Sequence, residues 1–373
     1  MAACAEVSSR ESHCYISDAE SLTGKGSWMR TLRRRTVLGG LVMPSLAVAQ
    51  PSGQDDAAAW AAFKQRFLVS DGRVVDTGNA NVSHTEGQGW GMLFAVTFDD
   101  REAFDRIDGW TRRTLSRPND ALHTWRYKPG ALNPLDDPNN ATDGDLFIAY
   151  ALALGAAHWQ RPELLLRAEA IARSILSLLV ARVHEVTLLL PGVEGFIRDD
   201  GVIFNPSYYA LMAMDALSRV APSPLWADLR RDGIASLAKA RFGAWGLPPD
   251  WAFAADDGTF RPAPDQPPRY SYDAVRVPLY LAWAGVNSPV LPAVAAWWRN
   301  QNPPPAWVDV TSGAVAHYPA EPGIAAATRF AIAEDGPTPD ISPDMDYYNG
   351  ALCLLTRVAT RDLNARRIVA SPR

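Results

Sequence analysis

The sequence predicts an all-α fold, a toroid of alternating inner and outer helices with minor β-hairpin elements. Three observations predict it. Some segments are apolar on one helical face only, whereas others are apolar nearly all round. A helix of the second kind must be covered on every side, so it belongs in an interior layer. Finally, polar or aromatic clusters precede the interior segments, and a ring of helices would gather these clusters at one end.

The outer helices are predicted from apolar side chains at helical spacing. Trp60, Phe63 and Phe67 follow the i, i+3, i+7 pattern of one buried face. A second such face comprises Leu164, Ile171, Ile175 and Leu178. The residues expected to point away from this second face are Arg167, Arg173 and Ser174. Both segments are typical of helices that keep one face in water.

The interior helices are predicted from segments that are apolar on all sides. They span residues 146–157, 208–217, 274–286 and 350–358. The polar or aromatic clusters occupy residues 86–90, 141–145, 205–209, 271–273 and 346–349. We expect a cleft where these clusters meet. Residues 183–190 are expected to form a small peripheral hairpin, and Cys353, within an apolar run, is expected to be a buried thiol.

Composition and charge exclude several classes of function. The 373 residues carry a net charge of −5 without a basic stripe, so we expect no nucleic-acid partner. The histidines lack paired ligand spacing, so we expect no metal. The glycines at 87, 89 and 91 do not match the G-x-G-x-x-G pattern, and we expect no cofactor. The 13 tryptophans, more than the 12 phenylalanines, indicate either core filling or flat platforms for a flat ligand.

The first 49 residues are predicted to be an N-terminal extension with a cleavable export signal. Arginines at 33–35 precede an apolar stretch, and Ala47-Val48-Ala49 ends it with the pattern of a signal peptidase site. Paired arginines are typical of a twin-arginine signal. The apolar run is shorter than the roughly 20 residues of a spanning helix, so we expect no stable membrane insertion after cleavage. Met29 is a candidate for the true translation start, and residues 50–373 are expected to form one domain.

Acidic side chains in three of the clusters are candidates for catalysis. Cleavage of a glycosidic bond needs one carboxylic acid and one carboxylate on opposite sides of the bond. Glu86 and Asp273, each expected at the head of an interior helix, could form such a pair. Each could instead only stabilise a helix dipole, and Thr142 with Asp145 could form a capping box. Several acids beside glycines or aromatics, at one end of a ring, favour a shared site.

These segments resemble the glycoside hydrolase family 8 enzymes. The family signature A-[ST]-D-[AG]-D-x-x-I-A, with a later Trp, matches residues 141–149 and Trp159. The sequences TEGQGWGM at 85–92 and SYDAVR at 271–276 resemble the segments that carry the family's acid and base. FNPSY at 204–208 and DYYN at 346–349 resemble two further cleft segments. Residues 71–74 and 249–251 also resemble the family's endoglucanases that are encoded with bacterial cellulose synthase.

The resemblance implies an (α/α)6 barrel and an inverting endo-β-1,4-glucanase of the cellulase type. By position it implies that Glu86 is the general acid, Asp273 the general base, and Asp143 the residue that positions sugar and water. Inversion needs the two catalytic carboxyls about 6.5–9.5 Å apart, so that a water fits between base and sugar. The substrate-binding residues implied by the resemblance are Trp125, Tyr208, Tyr272, Arg276, Tyr347 and Tyr348.

Two alternatives remain at this stage. Related barrels cut chitosan or xylan, and a non-catalytic glucan-binding component of an export complex is a different class. Retention of both Glu86 and Asp273 argues against a pure binder. The export signal, without a Pro/Ser/Thr-rich linker to a binding module, favours a periplasmic or secreted enzyme that trims nascent glucan during bacterial cellulose production. The expected partners are a β-1,4-glucan chain and the cellulose synthase complex.

Overall fold

Helices dominate the computed structural model, which describes residues 53–370. The predicted export signal lies outside the described residues. The eleven α-helices are α1 (Gly53–Phe67), α2 (Thr85–Thr97), α3 (Arg101–Leu115), α4 (Thr142–Trp159), α5 (Pro162–Leu178), α6 (Leu211–Val220), α7 (Pro224–Lys239), α8 (Arg276–Trp283), α9 (Val290–Arg299), α10 (Pro322–Ala331) and α11 (Tyr347–Ala370). The described residues belong to one compact unit, Gly53–Arg373.

Six of the helices form a closed inner ring. Around it, α2 contacts α4, α4 contacts α6, α6 contacts α8, α8 contacts α10, α10 contacts α11, and α11 returns to α2. The outer layer follows the same order, with α3 on α2, α5 on α4, α7 on α6, α9 on α8 and α1 on α11. Where a sixth outer helix would lie, the irregular segment 333–346 packs on α1 and α11 through Arg66 and Arg357.

Burial matches the predicted division into inner and outer helices. Residues 87–96 of α2 and 142–152 of α4 are all buried, as expected for interior helices. The predicted outer face of α1 is confirmed, because Trp60, Phe63 and Phe67 are buried. In α5 the prediction fails only at Leu178, which is exposed. Leu178 is the last residue of that helix, and Leu179 takes the buried position as the chain turns away.

Ten short β-strands lie in the segments that connect the helices. They are β1 (Ser83–His84), β2 (Arg126–Tyr127), β3 (Val180–Val183), β4 (Val186–Leu189), β5 (Ile197–Arg198), β6 (Gly201–Phe204), β7 (Ala252–Ala255), β8 (Phe260–Pro262), β9 (Arg269–Tyr270) and β10 (Val308–Asp309). The predicted peripheral hairpin is confirmed as the antiparallel pair β3 and β4. Strands β1 with β2 and β9 with β10 form two further pairs.

The four-stranded antiparallel sheet β5-β6-β7-β8 was not predicted. Its central pair joins β6 to β7 across the whole of α6 and α7, and Phe204 lies opposite Ala252. A small apolar cluster of Ile203, Phe253, Ala255 and Ala263 supports it. Because the strands are antiparallel, the residue after β6 and the residues before β7 emerge at the same end of the sheet. That end faces the candidate site.

Two smaller predictions have opposite outcomes. Cys353 is a buried free thiol, as expected. The capping box is wrong: Ala141 is the N-cap of α4, and the Thr142 hydroxyl donates to the carbonyl of Leu190 at 2.6 Å. Asp145 instead accepts the backbone N–H of His123 at 3.0 Å, which fixes the segment that leads to β2. Across residues 53–370, no helix is long and apolar enough to cross a membrane.

Candidate active site

Glu86 lies in the first turn of α2, at the end of the ring where the clusters meet. The ring nitrogen Nδ1 of His84, the N-cap residue, accepts the Gly87 N–H at 3.1 Å and so fixes the start of the helix. This satisfies one of the free N–H groups that every helix start exposes. The Glu86 side chain is mostly buried and points toward the head of α8, where Arg276 binds it.

Asp143 is brought beside Glu86 by the close approach of α2 and α4. A Cβ added at Gly144 would lie 2.1 Å from Thr85 Oγ1, and one at Gly89 would lie 2.8 Å from the Cβ of Phe147. Only glycine allows this helix spacing. Gly89 therefore serves the packing between the two helices.

Asp273 lies in the turn before α8 and not on the helix itself, which begins at Arg276. The sequence interpretation, which put Asp273 at a helix head, was therefore wrong by one turn. Its side chain is 30% exposed, so water can reach it. The Asn205 amide donates to Asp273 Oδ2 at 3.1 Å. The backbone of the same turn is held by Asp250, whose Oδ1 accepts the Asp273 N–H at 3.1 Å.

Arg276 joins the three acids. Its Nη1 lies 3.0 Å from Glu86 Oε2, while its Nη2 lies 2.8 Å from Asp273 Oδ1 and 3.5 Å from Asp143 Oδ2. The guanidinium also donates to Ser207 Oγ at 2.9 Å and is almost wholly buried. Its planar fork can hold several oxygens in fixed directions. Glu86 and Asp273 are therefore oriented by different nitrogens of one guanidinium.

The electrostatics of the site follow from burial and crowding of carboxylates. Burial raises the pKa of Asp143 well above its usual range, the charges of Glu86 and Asp273 add to the increase, and Arg276 opposes it. Burial and the charge of Asp273 raise the pKa of Asp250 to about 8, against the lowering effect of its backbone donors. A proton is therefore held within this group of acids at neutral pH.

The aromatic residues named from sequence fall into two groups. Trp125, Tyr208 and Tyr272 are half-buried. The Trp125 indole donates to Asp137 Oδ2 at 2.8 Å, and the carbonyl of Trp125 accepts the Thr85 N–H at 2.9 Å, beside the start of α2. Burial, and then the charges of Asp143 and Asp273, raise the pKa of Tyr208. Tyr272 directly precedes Asp273.

The resemblance implies that Tyr347 and Tyr348 bind substrate; the structure buries both, and a role in binding stays a prediction. They are only 1% and 4% exposed. Tyr347 packs edge-on against Phe67, with its hydroxyl against Gly87 beside Glu86, and the Tyr348 hydroxyl donates to the carbonyl of Tyr272. Both lie in the first turn of an inner helix, where the neighbouring helices cover them. They support the acid-bearing and base-bearing segments from behind.

The comparison with known families agrees with this geometry. The sequence model described as "Glycosyl hydrolases family 8" matches residues 29–362. The chain is a family 8 glycoside hydrolase.

Relatives of this family 8 hydrolase cover most of its length. A "Probable endoglucanase" of Novacetimonas hansenii is 42% identical over 320 residues, which are 84% of this chain and 93% of that protein. An "Endoglucanase" of Cellulomonas uda is 40% identical over 278 residues, 74% of this chain and 77% of the relative. The structure of endo-beta-1,4-glucanase CMCax from Acetobacter xylinum superposes with a TM-score of 0.80 at 40% identity, covering 84% of this chain and all of that one (100%). The predicted (α/α)6 barrel is thereby confirmed.

Several residues of the hydrolase site were not singled out from sequence. Asn205 and Ser207 lie in a cluster that was recognised, but their contacts with Asp273 and Arg276 depend on the unpredicted sheet. Asp250 and Trp251 precede β7 of the same sheet, and the Trp251 ring meets Tyr208 edge-on with centroids 6.2 Å apart. The resemblance of residues 249–251 to the family was the available signal, although it gave Asp250 and Trp251 no role. Within the described residues, no group of three or more potential ligands could hold a metal.

Proposed function

We propose that this glycoside hydrolase is an inverting endo-β-1,4-glucanase, a cellulase that cuts internal bonds of cellulose-type glucan. Glu86 acts as general acid, Asp273 as general base, and Asp143 positions the sugar and the water. The observation that carries the proposal is that Glu86 and Asp273 contact different nitrogens of one buried guanidinium. Both carboxyls therefore face the same guanidinium, as an acid and a base that act on one bond require. An inverting enzyme keeps these carboxyls about 6.5–9.5 Å apart, so that a water fits between base and sugar.

The chemistry uses one proton at each carboxyl. Glu86 gives its proton to the glycosidic oxygen as the bond from that oxygen to the anomeric carbon breaks. A water attacks the anomeric carbon from the opposite face and loses a proton to Asp273. Solvent then returns a proton to Glu86 and removes one from Asp273. The greater exposure of the Asp273 side chain, compared with 15% for Glu86, supports its role as the water-facing partner.

The choice of β-1,4-glucan rests on the relatives and on the aromatic border of the site. Relatives at 40% identity or more are described as endoglucanases. Flat rings such as Trp125 and Tyr272 suit the apolar faces of glucose units. A related β-1,4-glycanase acting on chitosan or xylan is the alternative. Equal or faster cleavage of either polymer than of carboxymethyl cellulose would favour that alternative.

The biological role is proposed from the N-terminal signal and the resemblance stated above. The enzyme is exported to the periplasm or beyond, binds the nascent β-1,4-glucan chain, and trims it beside the cellulose synthase complex. Fractionation of cells that express the full chain tests the location: the mature enzyme should appear with periplasmic or secreted marker proteins. Recovery of the uncleaved chain in the cytoplasm alone would contradict it.

The first prediction concerns the two catalytic carboxyls. Glu86→Gln and Asp273→Asn should each lower the rate of reducing-sugar release from carboxymethyl cellulose by about 10²–10⁴-fold, because each removes one proton-transfer group. Both variants should keep the unfolding temperature of the parent within a few degrees. Matched controls are Glu185→Gln and Asp199→Asn at exposed positions, which should leave the rate unchanged. Near-full activity of either site variant would remove that residue from its assigned role.

The second prediction concerns stereochemistry. Attack by water on the face opposite the leaving group turns a β-linkage into an α-configured product. Proton NMR of cello-oligosaccharide hydrolysis should therefore show the α-anomeric signal first, with the β-signal growing only by mutarotation. Initial release of the β-anomer would show a retaining mechanism and would leave no place for Asp273 as a base toward water.

A further inference from the structure

Asp250 holds the turn that carries the proposed base. One oxygen, Asp250 Oδ1, accepts three backbone N–H groups, those of Ser271 at 3.1 Å, Asp273 at 3.1 Å and Ala274 at 2.7 Å. The residue at the N-cap of α8 is Val275, whose aliphatic side chain cannot accept a hydrogen bond. The three donors precede this N-cap, and their shared acceptor is Asp250, at least 21 positions earlier in the chain.

Asp250 is itself fixed by the β-sheet. Its backbone N–H donates to the carbonyl of Arg269 at 2.7 Å, and the chain then enters β7. Strand β7 pairs with β6, and Asn205 directly follows β6. The same sheet thus supplies two contacts to Asp273, one to its side chain through Asn205 and one to its backbone through Asp250. A rigid sheet is a better support for such geometry than a loop.

We propose that Asp250 is a positioning residue for catalysis: by accepting the three N–H groups of residues 271–274 it sets the direction of the Asp273 carboxylate. This inference rests on the proposed function, in which Asp273 is the base. Misplacement of a catalytic group by about 1 Å can cost about 10²-fold in rate, so loss of this acceptor should be felt in turnover.

The charge state of Asp250 is consistent with this role. The groups that face its carboxyl are Asp273, Arg276 and Tyr270. Because burial and Asp273 raise its pKa to about 8, the side chain is neutral at acidic and neutral pH. A neutral acid still accepts through Oδ1 but adds no second negative charge beside the base. Asparagine reproduces this state, with the same acceptor oxygen and no charge.

The third prediction compares asparagine with alanine at residue 250. At pH 6, Asp250→Ala should lower kcat on carboxymethyl cellulose by about 10²-fold and change KM by less than about 3-fold, because positioning acts on the transition state. Asp250→Asn should restore kcat to within about 5-fold of the parent, since the acceptor returns. Asp257→Ala is the matched control: its Oδ1 also accepts a backbone N–H, that of Thr259, but at the exposed turn between β7 and β8. It should leave kcat unchanged.

The outcomes separate this inference from the proposed function. If Asp273→Asn is inactive and Asp250→Ala keeps the parent kcat, the positioning role is wrong while the proposed function stands. If Asp250→Asn is as slow as Asp250→Ala although both melt cooperatively, the acceptor geometry is not what matters and the inference fails. If Asp273→Asn itself remains active, the proposed function fails first. If Asp250→Ala does not fold, the kcat of the folded Asp250→Asn variant decides whether the inference stands. A kcat within the range predicted above supports the inference, and a larger loss contradicts it.

Discussion

Arg276 decides the electrostatics of the site at the scale of single residues. Three acids, Glu86, Asp143 and Asp273, share this one guanidinium. Its single positive charge therefore faces three carboxyl groups. Burial, and then the charge of Glu86, raise the pKa of Asp143. This carboxyl belongs to the same group of acids as Glu86, for which we propose the role of general acid. The arrangement favours function at a cost in stability, as is common at catalytic sites.

The fourth prediction follows from the sign of that pKa shift. A carboxyl whose pKa is raised by folding binds its proton more tightly in the folded chain, so the free energy of unfolding falls as the pH rises above the usual Asp value. Asparagine at this position carries no charge at any pH. Asp143→Asn should therefore unfold at a higher temperature than the parent at pH 7, with the difference vanishing near pH 3.5. Its hydrolytic activity should fall.

The matched control for Asp143 is Asp108, another buried acid. Asp108 receives a bidentate pair of hydrogen bonds from Arg167, both at 2.7 Å. Asp108→Asn weakens a charge-assisted contact and should lower the unfolding temperature at pH 7. Thermal unfolding followed by circular dichroism at both pH values measures the two variants. A lower stability of Asp143→Asn at pH 7 would contradict the account of charge crowding.

At the scale of elements, the contact between α2 and α4 brings Glu86 and Asp143 together. Gly89 and Gly144 remove the two side chains that would hold these helices apart. Because the first turns of α2 and α4 approach this closely, Glu86 and Asp143 lie side by side at the same end of the ring. The opposite wall is built differently, from the turn before α8 and the end of the β5-β6-β7-β8 sheet. The site therefore joins a helix pair to a sheet.

The fifth prediction tests the helix contact. A methyl group at residue 144 would lie 2.1 Å from Thr85 Oγ1 and 2.7 Å from the Thr85 carbonyl carbon. The backbone cannot yield cheaply, so Gly144→Ala should lower the free energy of unfolding by about 1–3 kcal/mol. It should also reduce hydrolysis, because Thr85 and the adjacent Glu86 are displaced. Urea unfolding and reducing-sugar release measure the two effects.

Gly109→Ala is the control for that substitution. Gly109 lies within α3, and the nearest atom to an added Cβ is the flexible end of Arg113, 3.0 Å away. Since alanine favours a helix more than glycine, stability should hold or rise by up to about 1 kcal/mol. Equal stability of Gly144→Ala and Gly109→Ala would show that the α2–α4 contact can accommodate a methyl group at residue 144.

At the scale of the whole molecule, the ring is closed by its last helix. Helix α11 packs on α2 and on α1, and its buried Arg357 binds Asp56 at 3.1 Å and Asp340 at 2.9 Å. The backbone N–H of Tyr347 donates to Thr77 Oγ1 at 3.1 Å, again across most of the described chain. The candidate site is thus formed only when the N-terminal and C-terminal parts of the described chain pack together.

Sequence alone was enough to predict the helical class, the inner and outer layers, the small hairpin and the three acids. These features follow from local periodicity and from short motifs, because a helix records its buried face every three or four residues. The sequence also predicted five of the six inner-helix starts; α10, whose N-cap is Glu321, was missed.

The way in which the wall around Asp273 is built could be seen only in the folded chain. The pairing of β6 with β7, and with it the contacts of Asn205 and Asp250, joins segments separated by two helices, and no periodicity in either segment encodes the partner. The burial of Tyr347 and Tyr348 was likewise decided by neighbouring helices, because an aromatic residue at a helix head can face either the cleft or the core. Local pattern fixes which faces are apolar; which surfaces meet depends on closing the ring.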